Sequence, residues 1–125
     1  MKSIKVLLLD DDVSLRFNME MYLSDEGFET KSADNADLAL NLLEKNKFDV
    51  AIVDIRLPGL NGEEFIKLAI KKYPRLKFII YTGSIKYYIP NDLKEIGITK
   101  SQIFIKPISD MKKFVKKIRS LAEDV

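Results

Sequence analysis

The chain contains no cysteine and no histidine. The first absence removes disulfides, thiolate nucleophiles and cysteine-held metals, and suits a protein that needs no oxidative staples. The second removes catalytic triads with an imidazole base, zinc sites built on histidine, and any role as a phosphohistidine carrier. An excess of one charge is lacking too: 21 Lys and Arg stand against 19 Asp and Glu, and a formal net charge of +2 is too small to imply nucleic acid as a partner. No apolar run approaches the ~20 residues of a membrane-spanning helix. The opening M-K-S-I-K-V-L-L-L-D imitates a signal peptide, but its apolar part is too short and Asp10 ends it. A cytoplasmic protein with no membrane partner is expected.

What is present is one domain's worth of chain, 125 residues with 46% hydrophobic and 32% charged. Short apolar runs alternate with amphipathic segments: Ile4 to Leu9, Phe28 to Ser32, Phe48 to Val53, Lys77 to Tyr81 and Gln102 to Ile105. The runs V-L-L-L, V-A-I-V and F-I-I-Y are continuous rather than alternating, the pattern of strands covered on both faces. Between the runs, Leu15, Met19, Tyr22 and Leu23 share a helical face, as do Ala39, Leu42 and Leu43, then Ile66, Ala69, Ile70 and Tyr73. After the last run, Met111, Phe114, Val115, Ile118 and Ala122 repeat at helical spacing behind Ser109, a candidate N-cap. Strand then helix, five times, predicts an α/β protein whose parallel sheet has helices on both faces.

Smaller signals refine this outline. L-P-G-L-N-G reads as a turn, with Pro58-Gly59 suited to type II and Asn61 placed to cap the next helix. Tyr87-Tyr88-Ile89-Pro90 reads as a loop, and Pro90 is placed to open a short helix from Asn91 to Ile96, stopped by Gly97. Tyr87 and Tyr88 fit the core and an exposed partner surface equally well. Lys112, Lys113, Lys116, Lys117 and Arg119 read as a solvated helix face. The chain stops with the fifth helix, so a single domain, residues 1–125, is expected.

In an open parallel sheet, ligands sit beyond the carboxyl ends of the strands. The first strand delivers Asp10, Asp11 and Asp12 there, the third Asp54, the fourth Thr82 and the fifth Lys106. Crowded carboxylates raise one another's pKa until a cation arrives, and Mg2+ suits them, a hard ion that takes one or two carboxylates alongside phosphate oxygens. Asp54 stands apart as a single carboxylate at the end of a buried strand. A carboxylate can act as nucleophile toward a phosphoryl group, and that reaction asks mainly for positioning and positive charge. Lys106 and the cation would provide the charge, and Thr82 a hydrogen bond to a phosphate oxygen.

The stretches L-L-L-D-D-D-V-S-L-R, D-V-A-I-V-D-I-R-L-P-G-L-N-G, I-I-Y-T-G-S and F-I-K-P together resemble the receiver domain of two-component response regulators, in order and over the whole chain. The resemblance implies a (βα)5 flavodoxin-like doubly wound sandwich with five parallel strands in the order 2-1-3-4-5. It implies that Asp54 accepts a phosphoryl group, with Mg2+, from a histidine kinase or histidine phosphotransfer protein, and that the resulting switch acts on a downstream protein target. By motif position Asp10 and Asp11 match the metal-binding pair, with Asp12 a bystander or helix cap. Asp54 and the backbone carbonyl of Arg56 complete the metal ligands. Thr82 matches the switch hydroxyl and Lys106 the invariant lysine, with Lys106-Pro107 a cis bond. Such a domain is a regulator rather than an enzyme. Two features depart from the family pattern: Ile103, with Phe104 beside it, stands where an aromatic switch residue is usual, and the Y-Y-I-P segment occupies the place where a fourth helix normally begins.

Two other readings compete. D-D-D-V-S also fits a haloacid dehalogenase-like phosphatase with Asp10 as nucleophile and Asp12 as acid, which leaves Asp54 without a role and lacks an acidic pair after Lys106. A receiver that binds partners without phosphorylation is the other, and the intact set of Asp10, Asp11, Asp54, Thr82 and Lys106 counts against it. Arg56 and Ser84, two residues beyond Asp54 and Thr82, are placed to flank an attacking water and so to tune hydrolysis of an acyl phosphate.

Overall fold

A computed structural model describes residues 3–57 and 59–123. Five strands, β1 (Lys5–Leu9), β2 (Glu29–Ala33), β3 (Val50–Asp54), β4 (Lys77–Thr82) and β5 (Ile103–Ile105), alternate with α1 (Val13–Asp25), α2 (Ala36–Lys45), α3 (Gly62–Lys72), α4 (Asn91–Glu95) and α5 (Met111–Glu123). Every pairing is parallel and the order is β2-β1-β3-β4-β5. The fold and strand order expected from the sequence are therefore observed.

The three continuous apolar runs form the three central strands. Val6 to Leu9 and Val50 to Val53 are fully buried, and Phe78 to Tyr81 nearly so. Because alternate side chains leave a strand on opposite faces, each run feeds two cores. Leu7, Leu9, Val53 and Ile80 pack with Ala39, Leu43, Phe65, Ile66 and Leu93 of α2, α3 and α4. Val6, Leu8, Ile52, Ile79 and Tyr81 pack with Met19 and Leu23 of α1 and Phe114, Val115 and Ile118 of α5. Burying a Val, Leu, Ile or Phe side chain contributes about 1.5–3 kcal/mol, so these two layers supply most of what offsets the chain's lost entropy. β2, at the edge, is half-buried in alternation.

Several local expectations shift. The N-cap of α5 is Asp110 rather than Ser109: its Oδ1 accepts the Lys113 N–H at 3.0 Å. Asp110 directly precedes the first helical residue, and its carboxylate also meets the positive end of the helix, which a serine one position earlier does not. Gln102 is not in β5. It closes a 3-10 turn, Lys100–Gln102, where its Oε1 accepts the Thr99 N–H at 2.9 Å and its Nε2 donates to the Phe78 carbonyl at 2.8 Å. Asn61 caps α3 through the Glu64 N–H, as expected, and Gly59 has φ of +75°; Pro58 lies outside the described residues. The helix expected after Pro90 is present, and Gly97, at φ +99°, ends it in a conformation that other residues rarely adopt. Tyr87 is half-buried against the core while Tyr88 is 80% exposed, which separates the two readings of that pair. Among the described residues no helix is long and apolar enough to cross a membrane.

Candidate functional site

The carboxyl ends of β1, β3, β4 and β5 bring the expected residues to one edge of the sheet. β1 ends at Leu9, and Asp10 follows with its side chain wholly buried; its Oδ1 accepts the Asp12 N–H at 2.9 Å. Asp11 is exposed. Asp12 is the N-cap of α1, its Oδ1 accepting the Leu15 N–H at 3.0 Å, so it serves the helix. This capping uses the carboxylate that a phosphatase mechanism would need as its acid, and nothing in the structure favours that alternative.

Asp54 is the last residue of β3 and 5% exposed. Its Oδ1 accepts the Arg56 N–H at 3.0 Å, and its Oδ2 lies 3.1 Å from Lys106 Nζ. The same ammonium is 3.0 Å from Asp10 Oδ2, so Lys106 bridges the two buried carboxylates. Thr82 ends β4, 1% exposed, with Oγ1 accepting the Ser84 N–H at 3.2 Å. Its carbonyl accepts the Lys106 N–H at 2.8 Å, which ties the residue after β5 to the end of β4. The Lys106-Pro107 bond is cis, as the resemblance implied.

The electrostatics follow from this packing. Burial pushes the Asp54 carboxyl above its ordinary value, outweighing the Arg56 N–H and Lys106, which favour the anion. Burial would lower Lys106, but the hydrogen bonds and charges of Asp10 and Asp54 together hold its ammonium above the usual lysine value. Carboxylate oxygens of Asp10, Asp11 and Asp54 all lie within 4.8 Å of one another. Three oxygen donors at that separation fit a hard divalent cation with water completing its shell. Asp10 and Asp54 oxygens also face one ammonium, so the pocket already tolerates positive charge there.

Three neighbours of the site were not legible as such in the sequence. Arg16, on α1, donates from Nη1 to the Asp10 carbonyl at 2.9 Å, which holds the turn after β1. Gly62 opens α3 directly under Asp54: a Cβ there would collide with the Asp54 carbonyl oxygen and stand 2.9 Å from Ile55 Cα. Tyr81 places its ring 4.7 Å from Lys106 Nζ. None of the three left a signal of its own: Tyr81 shares a face with Phe104 and Lys106 only through the register of β4 on β5, which pairs Tyr81 with Phe104.

Comparison with known proteins agrees with this geometry. A family model described as the response regulator receiver domain matches residues 6–119. The sporulation initiation phosphotransferase F of Bacillus subtilis is 29% identical over 119 residues, 94% of each chain. A CheY-like receiver domain protein from Methanospirillum hungatei is 27% identical, with a TM-score of 0.84 over 98% of this chain and 96% of that one. The response regulator TrrA from Thermotoga maritima, solved in complex with Mg2+-BeF, is 25% identical, with a TM-score of 0.79 over 94% of this chain and 98% of that one. Other curated relatives, 35% identical over 63 to 85 residues, are longer, and the match covers 17% to 30% of their length.

Proposed function

The chain belongs to the response regulator receiver family, and from that premise we propose that Asp54 is its phosphoacceptor. The observation that carries this reading is the pairing of a buried Asp54 with Lys106 at 3.1 Å, in a pocket where Asp10 and Asp11 add two carboxylates within 4.8 Å. An Asp54 oxygen attacks the phosphorus of a phosphohistidine, the new O–P bond forms as the P–N bond breaks, and the departing imidazole takes up a proton. Asp54 accepts best as the anion, and Lys106 stabilises that form in spite of burial. Lys106 then turns its ammonium to the phosphoryl oxygens, and Thr82 exchanges its contact with the Ser84 N–H for one with a phosphoryl oxygen.

Asp10, Asp11, Asp54 and the Arg56 carbonyl would hold Mg2+, which when bound supplies positive charge against the phosphoryl oxygens. The partner that delivers the group is a histidine kinase or histidine phosphotransfer protein, which fits a chain with no histidine of its own. Phosphorylation adds roughly −1.5 to −2 charge. That charge draws Thr82 and the loop beyond it inward, and the altered surface acts on a downstream protein rather than on nucleic acid or membrane. The domain occupies residues 1–125, works in the cytoplasm, and acts as a switch rather than a turnover catalyst.

Intact-mass analysis after incubation with acetyl phosphate tests the reading. A phosphoryl adduct that requires both Mg2+ and Asp54, and is lost in Asp54→Ala, is expected. Steady phosphate release that survives Asp54→Ala and fails in Asp10→Ala would instead favour hydrolase chemistry at Asp10.

A further inference from the structure

Beneath Lys106 lies a side chain to which this chemistry gives no task. Tyr81 precedes Thr82 on β4, faces Phe104 of β5 in register and is 3% exposed. Its ring packs at 44° on Phe114 of α5, centroids 6.3 Å apart, and Phe114 meets Phe104 edge-on at 4.9 Å. The ring is thus packed against Phe114, which Phe104 supports in turn, and its face is turned to Lys106, whose Nζ stands 4.7 Å from the centroid. The ammonium has three walls: the carboxylates of Asp10 and Asp54, at 3.0 and 3.1 Å, and this ring.

Two of those walls change when the site is used. A phosphoryl group on Asp54 replaces a carboxylate oxygen as partner, and a cation shares the charge of Asp10. The ring does neither: its negative π-face attracts a cation whatever the carboxylates are doing. Burial pushes the Tyr81 phenol up, so the ring stays neutral.

We propose that Tyr81 is a positioning residue for phosphoryl transfer, its ring holding the Lys106 ammonium at the Asp54 end of the pocket while the carboxylate partners change. The inference rests on Asp54 as phosphoacceptor and deepens that reading.

Tyr81→Leu removes the ring but keeps apolar volume, Tyr81→Met does so with a more adaptable chain should the leucine variant fail to fold, and Tyr81→Phe keeps the ring. By NMR, before any phosphodonor is added, the Lys106 ε-methylene protons carry the upfield ring-current shift of a group lying over an aromatic face. That shift is lost in the leucine and methionine variants and kept in Tyr81→Phe. With acetyl phosphate and saturating Mg2+, the maximal labelling rate falls about three- to tenfold without the ring, the half-saturating Mg2+ concentration does not move, and Tyr81→Phe restores the rate. Wild-type labelling rates in both ring-free variants overturn the proposal, as does an equal loss in Tyr81→Phe. A wild type that takes no phosphoryl group ends the Asp54 reading and this role with it, and the ring-current shift then still reports whether the contact exists.

Discussion

Replacing Gly62 by alanine adds one methyl group at the place where the structure has least room for it. The Cβ would press on the Asp54 carbonyl oxygen and lie 2.9 Å from both Ile55 Cα and Val53 Cγ1. Two of these three atoms are backbone at the end of β3, so no rotamer change relieves them. Carbon atoms pack best at about 3.5–4.0 Å, so the start of α3 and the end of β3 must part by roughly 1 Å. Overpacking of this kind costs about 1–3 kcal/mol, and the better helix propensity of alanine returns at most about 1. A net loss of roughly 1–2 kcal/mol lowers the Tm of a domain this size by about 3–10 °C. The atom pushed hardest belongs to Asp54 itself, and a misplacement of about 1 Å can cost 10²-fold in a positioned reaction. Urea unfolding and acetyl phosphate labelling followed by mass should therefore fall together, labelling by about tenfold or more. Gly83→Ala is the control, since a Cβ at Gly83 meets nothing within 4 Å; it should be neutral or slightly stabilising. A Gly62→Ala protein as stable as wild type and labelled as fast would refute the close approach of α3 to Asp54.

Three further outcomes are expected. Mg2+ should raise the Tm of the wild type through binding to the folded state alone, and an equal rise in Asp11→Ala would show that the ion sits elsewhere. Because burial raises the Asp54 pKa above 3.8, the folded chain holds that proton more tightly than the unfolded one. Its contribution to stability is present below the unfolded value and is lost as pH rises through the folded one. Asp54→Asn should thus melt above the wild type at pH ~7, with the gap narrowing toward pH ~4; a gap that widens on acidification contradicts this. Exposed Arg56 and half-buried Ser84 should slow water's approach to an acyl phosphate, so alanine at both positions should speed dephosphorylation several-fold, and an unchanged rate would remove them from that path.

The fold was legible because its evidence is local. Continuous apolar runs named the three central strands, since a strand buried on both faces has no polar alternation to show. The helices followed from single faces repeating at 3.6 residues. The misplacements lie where a side chain's partner, not its own propensity, decides. Gln102 carries no turn signal by itself; it leaves β5 because the Thr99 N–H and the Phe78 carbonyl, 24 residues away, satisfy its amide. Ser109 and Asp110 are both sound caps by residue type, and the helix start one residue later selected the aspartate.

The candidate site divides along the same line. Asp10, Asp54, Thr82 and Lys106 were readable because each directly follows or ends a strand, and the topology alone sends those positions to one edge. Gly62 and Tyr81 were not, for opposite physical reasons. Gly62 matters through what it lacks, and a missing side chain is visible only once the Asp54 carbonyl is seen to occupy its space. Tyr81 sits in an apolar run where an aromatic needs no explanation beyond packing, and its ring is in fact packed that way, against Phe114. What sets it apart is that the ring also meets a charge, the Lys106 ammonium. With Ile103 at the position where an aromatic was sought, the aromatic ring over which Lys106 stands is on the neighbouring strand and the opposite face. There it acts on Lys106 directly instead of following the movement of Thr82.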